Sequence, residues 1–205
     1  MREFERLRIH PDRPQLRQIR RAVACLQAGG CVVMPTDATY VLVCRPESNS
    51  AIAAIRQLRR LDRSHYWSLI CSDLSQAARY VRIDNQAHRL LKRCLPGAYT
   101  CILPACSALP KRIFGKRHDV GVRIPNHPVC AMLLAEHGEA LLCTTLQLPD
   151  EELPAYDPDL FVAKLHGLHA VLLDAGWGGM EPTTVLDLCD GLPLLVRQGA
   201  GVWPC

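Results

Sequence analysis

Short apolar runs with the composition of β-strands alternate along this chain with segments whose apolar residues recur at helical spacing. Several strand-like runs follow one another with no helix between them, which is typical of a sheet that mixes parallel and antiparallel pairs. The pattern predicts an α/β fold, a twisted, mixed and largely open β-sheet flanked by helices. Strands are expected at residues 31–34, 40–44, 68–71, 99–103, 120–124, 140–144, 170–174, 183–188 and 194–197.

Capping and breaking residues mark the expected helices. Glycines past the last turn end the first helix, and Asp84 has the side chain of an N-cap. Helices are expected over residues 14–28, from residue 49, from residue 84 to the Pro96-Gly97 pair, near residue 128 and over residues 157–167. Residues 147–156 are acidic and contain two prolines, and they form the loop best suited to act as a mobile lid.

The length of 205 residues, with 49% of them hydrophobic and no repeat or linker, fits a single domain over residues 1–205. No apolar run approaches the length that spans a bilayer. Residues 1–14 are too charged for a signal peptide. The sequence therefore predicts a soluble, cytoplasmic protein without a membrane partner.

Eleven cysteines are scattered through the chain, and many lie inside strand-like runs, as Cys31, Cys71, Cys101 and Cys143 do. Zinc and redox motifs need close pairs, and the sequence has no Cys-x-x-Cys. We expect these residues to act as small buried hydrophobes in a reducing compartment, and we predict no metal site.

The net charge of +4 is unevenly distributed. Basic residues cluster at Arg17, Arg20 and Arg21, at Arg56, Arg60 and Arg63, and at Lys111, Arg112, Lys116 and Arg117. Stripes of positive charge suit RNA or nucleotide phosphates, but each stripe is as typical of a solvated helix face.

One strand-like run carries an arginine where it turns into a helix. Val120, Val122 and Ile124 share one face of this run, Arg123 points to the other, and Pro128 marks the helix start. A guanidinium beside the free N–H groups of a helix start favours a phosphate or a carboxylate. The alternative is a surface arginine on an ordinary strand-to-helix turn.

Hydroxyls and arginines stand at several other strand ends and turns. They are Thr36, Asp37, Tyr40, Arg59, Arg60, Thr100, Thr144, Thr145 and Arg197. Because ligands of open α/β sheets bind where strands end, this set predicts a site for a phosphate ester. The chain has no Gly-x-x-x-x-Gly-Lys loop, Gly-x-Gly-x-x-Gly turn or Gly-x-Ser-x-Gly elbow, so common nucleotide-binding and hydrolase motifs are absent.

Five segments resemble, in order and spacing, the motifs of the YrdC-like superfamily. They are Pro35-Thr36-Asp37 with Tyr40, Pro96-Gly97-Ala98-Tyr99-Thr100, Gly121 to Pro128, Pro182 to Asp187, and Arg197 to Gly201. The family counterparts are Pro-Thr-Glu/Asp-x-x-Tyr, Pro-Gly-x-x-Thr, Val-Arg-x-Pro-x-His-Pro, Pro-Ser-Thr-Val-x-Asp and Arg-x-Gly-x-Gly. The resemblance covers about residues 15–202, and the chain looks most similar to the short YciO-type branch.

The resemblance implies a large basic concave cavity and an enzyme of the nucleotidyltransferase type. Such synthases join L-threonine, bicarbonate and ATP into threonylcarbamoyl-adenylate and release pyrophosphate, for the threonylcarbamoyl modification of adenosine in tRNA. ATP would enter with magnesium, and no tightly bound cofactor is expected. Related members bind double-stranded RNA or tRNA in the same cleft, so the alternative is an RNA-binding, translation-related protein with a nucleotide pocket and little synthase activity.

The resemblance also assigns residues. Arg59 and Arg123 would be catalytic, because the reaction needs cations that hold several anions together. The substrate- and nucleotide-binding residues would be Thr36, Tyr40, Arg60, His65, Thr100, Thr145, Gln147, Thr183 and Arg197. Arg123 and Arg197 would hold a phosphate or carboxylate, with Thr100 and Thr183 on the nucleotide side.

Three segments depart from the synthase pattern. The chain has Arg59-Arg60-Leu61 for Lys-x-Arg, Thr145-Leu146-Gln147 for Ser-x-Asn, and Val41 where glycine is frequent. An arginine fork does not replace a lysine ammonium at a tight site, and a side chain at Val41 would crowd a ligand near Tyr40. Because all of these changes are expected in the cavity, a changed ligand or reaction is a further possibility.

Four side chains have competing interpretations. His127 could act as a base, but it is expected to cap the following helix. His65 could reach a phosphate or pack beside Trp67, and Asp37 could hold magnesium or close an Asx-turn. Tyr40 suits the core as well as a ligand.

Overall fold

A computed structural model describes residues 4–62, 65–106 and 118–203. The strands of this part are β1 (Phe4–Arg8), β2 (Cys31–Met34), β3 (Val41–Cys44), β4 (Ser68–Ile70), β5 (Tyr99–Pro104), β6 (Asp119–Arg123), β7 (Leu141–Thr145), β8 (Ala170–Asp174), β9 (Thr184–Asp187) and β10 (Leu194–Arg197). The α-helices are α1 (Leu16–Gln27), α2 (Asn49–Arg59), α3 (Leu74–Ala77), α4 (Asn85–Cys94), α5 (Pro128–His137) and α6 (Pro158–Phe161). None of these helices is long and apolar enough to cross a membrane.

The strands form one open, mixed sheet in the order β1-β8-β2-β3-β7-β4-β6-β5-β9-β10. The predicted α/β class and the mixed open sheet flanked by helices are confirmed. Two elements were not expected. Residues 4–8 lie parallel beside β8, with Leu7 opposite Leu173, and α3 follows β4. The helix predicted over residues 157–167 ends at Phe161 and continues as a 3₁₀-helix, Val162–Leu165.

Successive side chains of each strand point to opposite faces of the sheet, so the hydrophobic core forms two layers, one on each face. One layer packs α2 and α4 against the face of the sheet that carries Leu69 and Val122. The other packs α1 and α5 against the opposite face, and it extends across the sheet as far as Ile70 of β4. Beyond Ile70, the same face of β6, β5 and β9 lines a cavity.

The cysteines of the strand-like runs lie in these layers, as expected. The ten described cysteines are free, and eight of them are buried. Burial raises the pKa of Cys31, Cys71 and Cys101 to about 12, so their thiols stay protonated near neutral pH.

Candidate functional site

The cavity has a volume of about 880 Å³. Its floor is a row of residues, one from each of five strands. Strand register places these residues side by side; they are Cys143, Ser68, Gly121, Ile102 and Asp187. At Gly121 a Cβ would lie 2.6 Å from Ser68 Oγ and 2.8 Å from Thr100 Cγ2. Glycine therefore keeps the middle of the floor open.

Arg123 lines this cavity from the end of β6, with only 3% of its surface exposed. One amino group donates to Thr36 Oγ1 at 3.2 Å, and the other lies 3.9 Å from Cys143 Sγ. Its Nε has no hydrogen-bond partner, and no carboxylate of the described residues forms an ion pair with it. A buried guanidinium without an internal acid is costly, and an anionic ligand would offset that cost.

Arg197 reaches the same cavity from β10, at the far side of β9. It pairs in register with Val185, which pairs with Thr100. Its guanidinium donates to the Thr183 carbonyl at 2.9 Å. Burial lowers the pKa of Arg197, and the nearby charge of Arg123 lowers it further. The two guanidiniums are thus close enough to repel each other, which a shared anion would relieve.

Hydroxyls lie beside these arginines. Thr100 Oγ1 and Thr183 Oγ1 are 2.7 Å apart, and both residues are buried and line the cavity. Because a hydroxyl both donates and accepts, either one can turn its proton toward a ligand oxygen.

A third arginine defines another corner of the cavity. Arg59, at the end of α2, donates to the hydroxyl of Thr144 and, at 2.9 Å, to the carbonyl of Gln147. His65 places Nε2 2.9 Å from the same Thr144 hydroxyl and packs edge-on against Trp67 at 5.6 Å between ring centroids. Burial lowers the pKa of the Arg59 guanidinium. Arg59, His65, Thr145 and Gln147 all line the cavity.

His65 should make stability depend on pH. Burial, and then the charge of Arg59, lower its pKa from 6.5 to about 4, so it is neutral at pH 7. Because the unfolded chain takes up this proton first, the stabilisation is present above pH 6.5 and is lost as pH falls from 6.5 toward 4. In the unsubstituted chain, this proton uptake should lower the free energy of unfolding by about 1–2 kcal/mol over that pH range. The His65→Gln variant should lack this decrease, which urea unfolding at several pH values measures.

His137→Gln is the matched control, since burial also lowers the pKa of His137, which does not line the cavity. Both variants should flatten the stability profile, but only His65→Gln should change ligand binding. Equal effects of the two variants on binding would contradict a role for His65 in the site.

Three predicted ligand-binding residues lie elsewhere or have other partners. Tyr40 is fully buried; its hydroxyl donates to the Gly176 carbonyl at 2.8 Å, and it does not line the cavity. Arg60 is exposed, pairs with Asp150 and lies outside the cavity lining. Thr36 Oγ1 donates to the Thr39 carbonyl and accepts from two backbone N–H groups besides Arg123, so it supports the arginine.

The helix start near Arg123 is also used internally. His127 Nδ1 accepts from the Val129 N–H at 3.2 Å, so its expected capping role is confirmed. Asp37 accepts from the Asn126 N–H at 2.8 Å. Within the described residues, the start of α5 does not line the cavity, so the structure does not bring the helix terminus and the Arg123 guanidinium together there. Val41 is buried in the α1–α5 layer and does not crowd the cavity.

Several lining residues had not been assigned to the site. Cys143 and Ser68 lie in the floor, and four carboxylates, Asp62, Asp119, Glu152 and Asp187, join the arginines in the lining. Within the described part of the chain, no three His, Cys, Asp or Glu residues are grouped so that they could hold a metal ion. The basic segment of residues 111–117 lies outside the described residues.

The loop proposed as a lid forms one wall of the cavity. Glu152, Leu153 and Pro154 line it, and Gln147 Nε2 donates to the Glu151 carbonyl at 2.6 Å. Arg59 binds Gln147, so the loop is connected directly to the arginine corner.

Comparison with known proteins shows which family this chain resembles. The Telomere recombination family profile, which groups Sua5, YciO and YrdC, matches residues 24–199. Uncharacterized protein YciO of Escherichia coli (strain K12) is 40% identical over 194 residues, 94% of this chain and 94% of that protein. Threonylcarbamoyl-AMP synthase of Stenotrophomonas maltophilia (strain K279a) is 32% identical over 174 residues, 83% of this chain and 93% of the synthase.

Solved structures share the fold. The crystal structure of E. coli YciO has a TM-score of 0.91 at 39% identity and covers 98% of both chains. P. abyssi Sua5 complexed with L-threonine has a TM-score of 0.85 at 22% identity, over 96% of this chain and 57% of that one. The extent of these matches shows that the chain belongs to the Sua5, YciO and YrdC family.

Proposed function

We propose that this protein is a threonylcarbamoyl-AMP synthase or a close variant, which uses L-threonine, bicarbonate and ATP. The observation that carries the proposal is Arg123, a buried guanidinium that lines a cavity and forms no ion pair with any carboxylate in the part of the chain that the structure describes. The relative from S. maltophilia, named for this activity, and the Sua5 structure with L-threonine support the choice of reaction.

The reaction needs anions brought together and charge stabilised on phosphorus. The amine of threonine adds to carbon dioxide from bicarbonate and loses a proton, which gives a carbamate. A carbamate oxygen then attacks the α-phosphorus of ATP, and the bond to the β-phosphate oxygen breaks to release pyrophosphate. Arg123 and Arg197 would hold the phosphates and stabilise the charge that develops on them. Magnesium would enter as part of the ATP substrate.

The remaining lining residues would orient the substrates. Arg59 and the neutral His65 would face threonine or its carbamate, and Thr100 and Thr183 would contact the nucleotide. Arg59 stands where the synthases carry lysine, and Leu61, at the position of their second cation, packs against the core. The second cation would therefore come from another element, for which Arg197 is suitably placed.

Labelled bicarbonate, L-threonine and magnesium-ATP provide the test. We expect threonine-dependent release of pyrophosphate together with a labelled adenylate, and a loss of at least about tenfold in kcat/KM for Arg197→Gln. Absence of both products under conditions in which the S. maltophilia synthase is active would overturn the proposal.

RNA binding is the second candidate, and it rests on the basic stripes. Among the stripe residues that the structure describes, three of five arginines are paired with an acid, since Arg20 contacts Glu136, Arg21 contacts Glu5 and Arg60 contacts Asp150. If the cleft binds RNA, affinity should fall steeply with salt and should depend on Arg123. If Arg123→Gln bound RNA as tightly as the unsubstituted chain does, the binding would belong to the surface stripes and not to the cleft.

A further inference from the structure

Behind the wall of the cavity lies a groove of about 400 Å³. Its apolar lining includes Leu153, Tyr156 and Leu160, and its charged lining holds four carboxylates, Asp150, Glu151, Glu152 and Asp157, with one cation, Lys164. Asp150 pairs with Arg60 and Glu151 with Lys164, while no described cation forms an ion pair with Glu152 or Asp157. The groove is thus acidic, in a chain whose net charge is +4.

Large apolar side chains continue from the groove onto the open surface. Trp177 is 80% exposed and packs edge-on against Tyr156, with ring centroids 6.4 Å apart. Leu160 is 65% exposed, and Leu153, which also lines the cavity, is 53% exposed. Exposed apolar side chains grouped beside a groove are typical of surfaces that bind another protein, and tryptophan is among the residues enriched at the centres of such interfaces.

The segment that carries Trp177 is held tightly. A Cβ on Gly178 would lie 2.6 Å from the Tyr40 ring, and one on Gly179 would lie 1.8 Å from the Ala38 carbonyl oxygen. The Gly178 N–H donates to the Tyr156 carbonyl at 2.7 Å. The backbone next to Trp177 thus packs closely against Tyr40 and Ala38 and is hydrogen-bonded to Tyr156, whose ring also contacts the indole.

We propose that this groove docks a basic segment of a partner protein, with an apolar side chain packed against Trp177 and Leu160 and a lysine or arginine facing Glu152 and Asp157. The carboxylates favour a cationic polypeptide and disfavour nucleic acid and anionic membranes. Glu152, Leu153 and Pro154 line both the groove and the cavity. A docked segment would therefore contact the wall of the candidate active site.

Selection from a random dodecapeptide library displayed on phage tests this proposal on the full chain. We expect enriched peptides to combine arginine or lysine with a large apolar residue. Affinity of a synthetic copy, measured by fluorescence polarisation, should fall at least about tenfold for Trp177→Ser and by about threefold for Asp157→Asn, which keeps an acceptor for the α6 N-cap. Leu192→Ser is the matched control, because Leu192 is 79% exposed near β10, and it should bind as the unsubstituted chain does.

Any of three results of the library selection would overturn the proposal, and so would a fourth result in sedimentation. The selection could yield no peptide, or it could yield acidic peptides. It could also yield peptides that bind Trp177→Ser as tightly as they bind the unsubstituted chain. A dimer in sedimentation velocity that Trp177→Ser abolishes would instead assign the groove to a second copy of this chain. Binding is measured without threonine or ATP, so the result is independent of synthase activity.

Discussion

Replacing Arg123 with methionine should make the protein more stable while it abolishes ligand binding. The guanidinium is almost fully buried, its Nε lacks a partner, and no carboxylate of the described residues pairs with it. Methionine fills a similar volume without a charge to desolvate, so the free energy of unfolding should rise by about 1–3 kcal/mol. Threonine-dependent pyrophosphate release should fall by about a hundredfold or more.

Thr36 gives a reason to expect that the local fold survives this change. Its hydroxyl still donates to the Thr39 carbonyl and accepts from the backbone N–H groups of Ala38 and Thr39. The turn before β3 should therefore stay closed. Urea unfolding measures the stability, and calorimetric titration with ATP measures the binding.

Arg6→Met is the control for this experiment, because Arg6 has internal partners. It contacts Asp159 and the buried Asp174, whose side chain is 6% exposed. Removing Arg6 leaves Asp174 without its cation, so stability should fall by about 2 kcal/mol. If Arg123→Met lost stability as Arg6→Met does, the guanidinium would be a structural element and the anion site would be in doubt.

Arg123 could be placed from the sequence because the necessary information is local. In a strand with a period of two, valines at 120 and 122 set the buried face, and the arginine must then point the other way. The corner around Arg59 has no comparable signal. The residue that joins Arg59 to His65 is Thr144, more than seventy positions away from either, and its alignment depends on the pairing of β7 with β3 and β4.

The first strand shows the same limit. In Phe4–Arg8 the only buried residue is Leu7, so the segment has the composition of a charged arm. It becomes a strand because β8, far along the chain, offers a free edge in parallel register.

Tyr40 and Arg60 show that a motif in the sequence does not by itself place a side chain in the cavity. Both belong to segments that resemble family motifs, but burial decides that one packs in the core and the orientation of the helix end decides that the other faces solvent.

Gly179→Ala should be the most destabilising small substitution in the β8–β9 connection. A Cβ at this position would lie 1.8 Å from the Ala38 carbonyl oxygen and 3.0 Å from its carbonyl carbon, and backbone atoms cannot move aside as a side-chain tip can. The Ala38 N–H binds Thr36 Oγ1, which accepts from Arg123, so the displacement reaches the cavity. We expect a loss of about 3 kcal/mol or more, with weaker ATP binding in the fraction that folds.

Gly191→Ala separates this steric effect from backbone strain. Gly191 has a φ of +84°, and a Cβ there would meet nothing within 4 Å. Alanine should therefore cost only about 1 kcal/mol, the penalty of the left-handed conformation, and should leave ATP binding unchanged. Urea unfolding of both variants gives the loss in free energy of unfolding for each. Similar losses would mean that the contact between Gly179 and Ala38 can relax. The turn that supports Arg123 would then not depend on that contact.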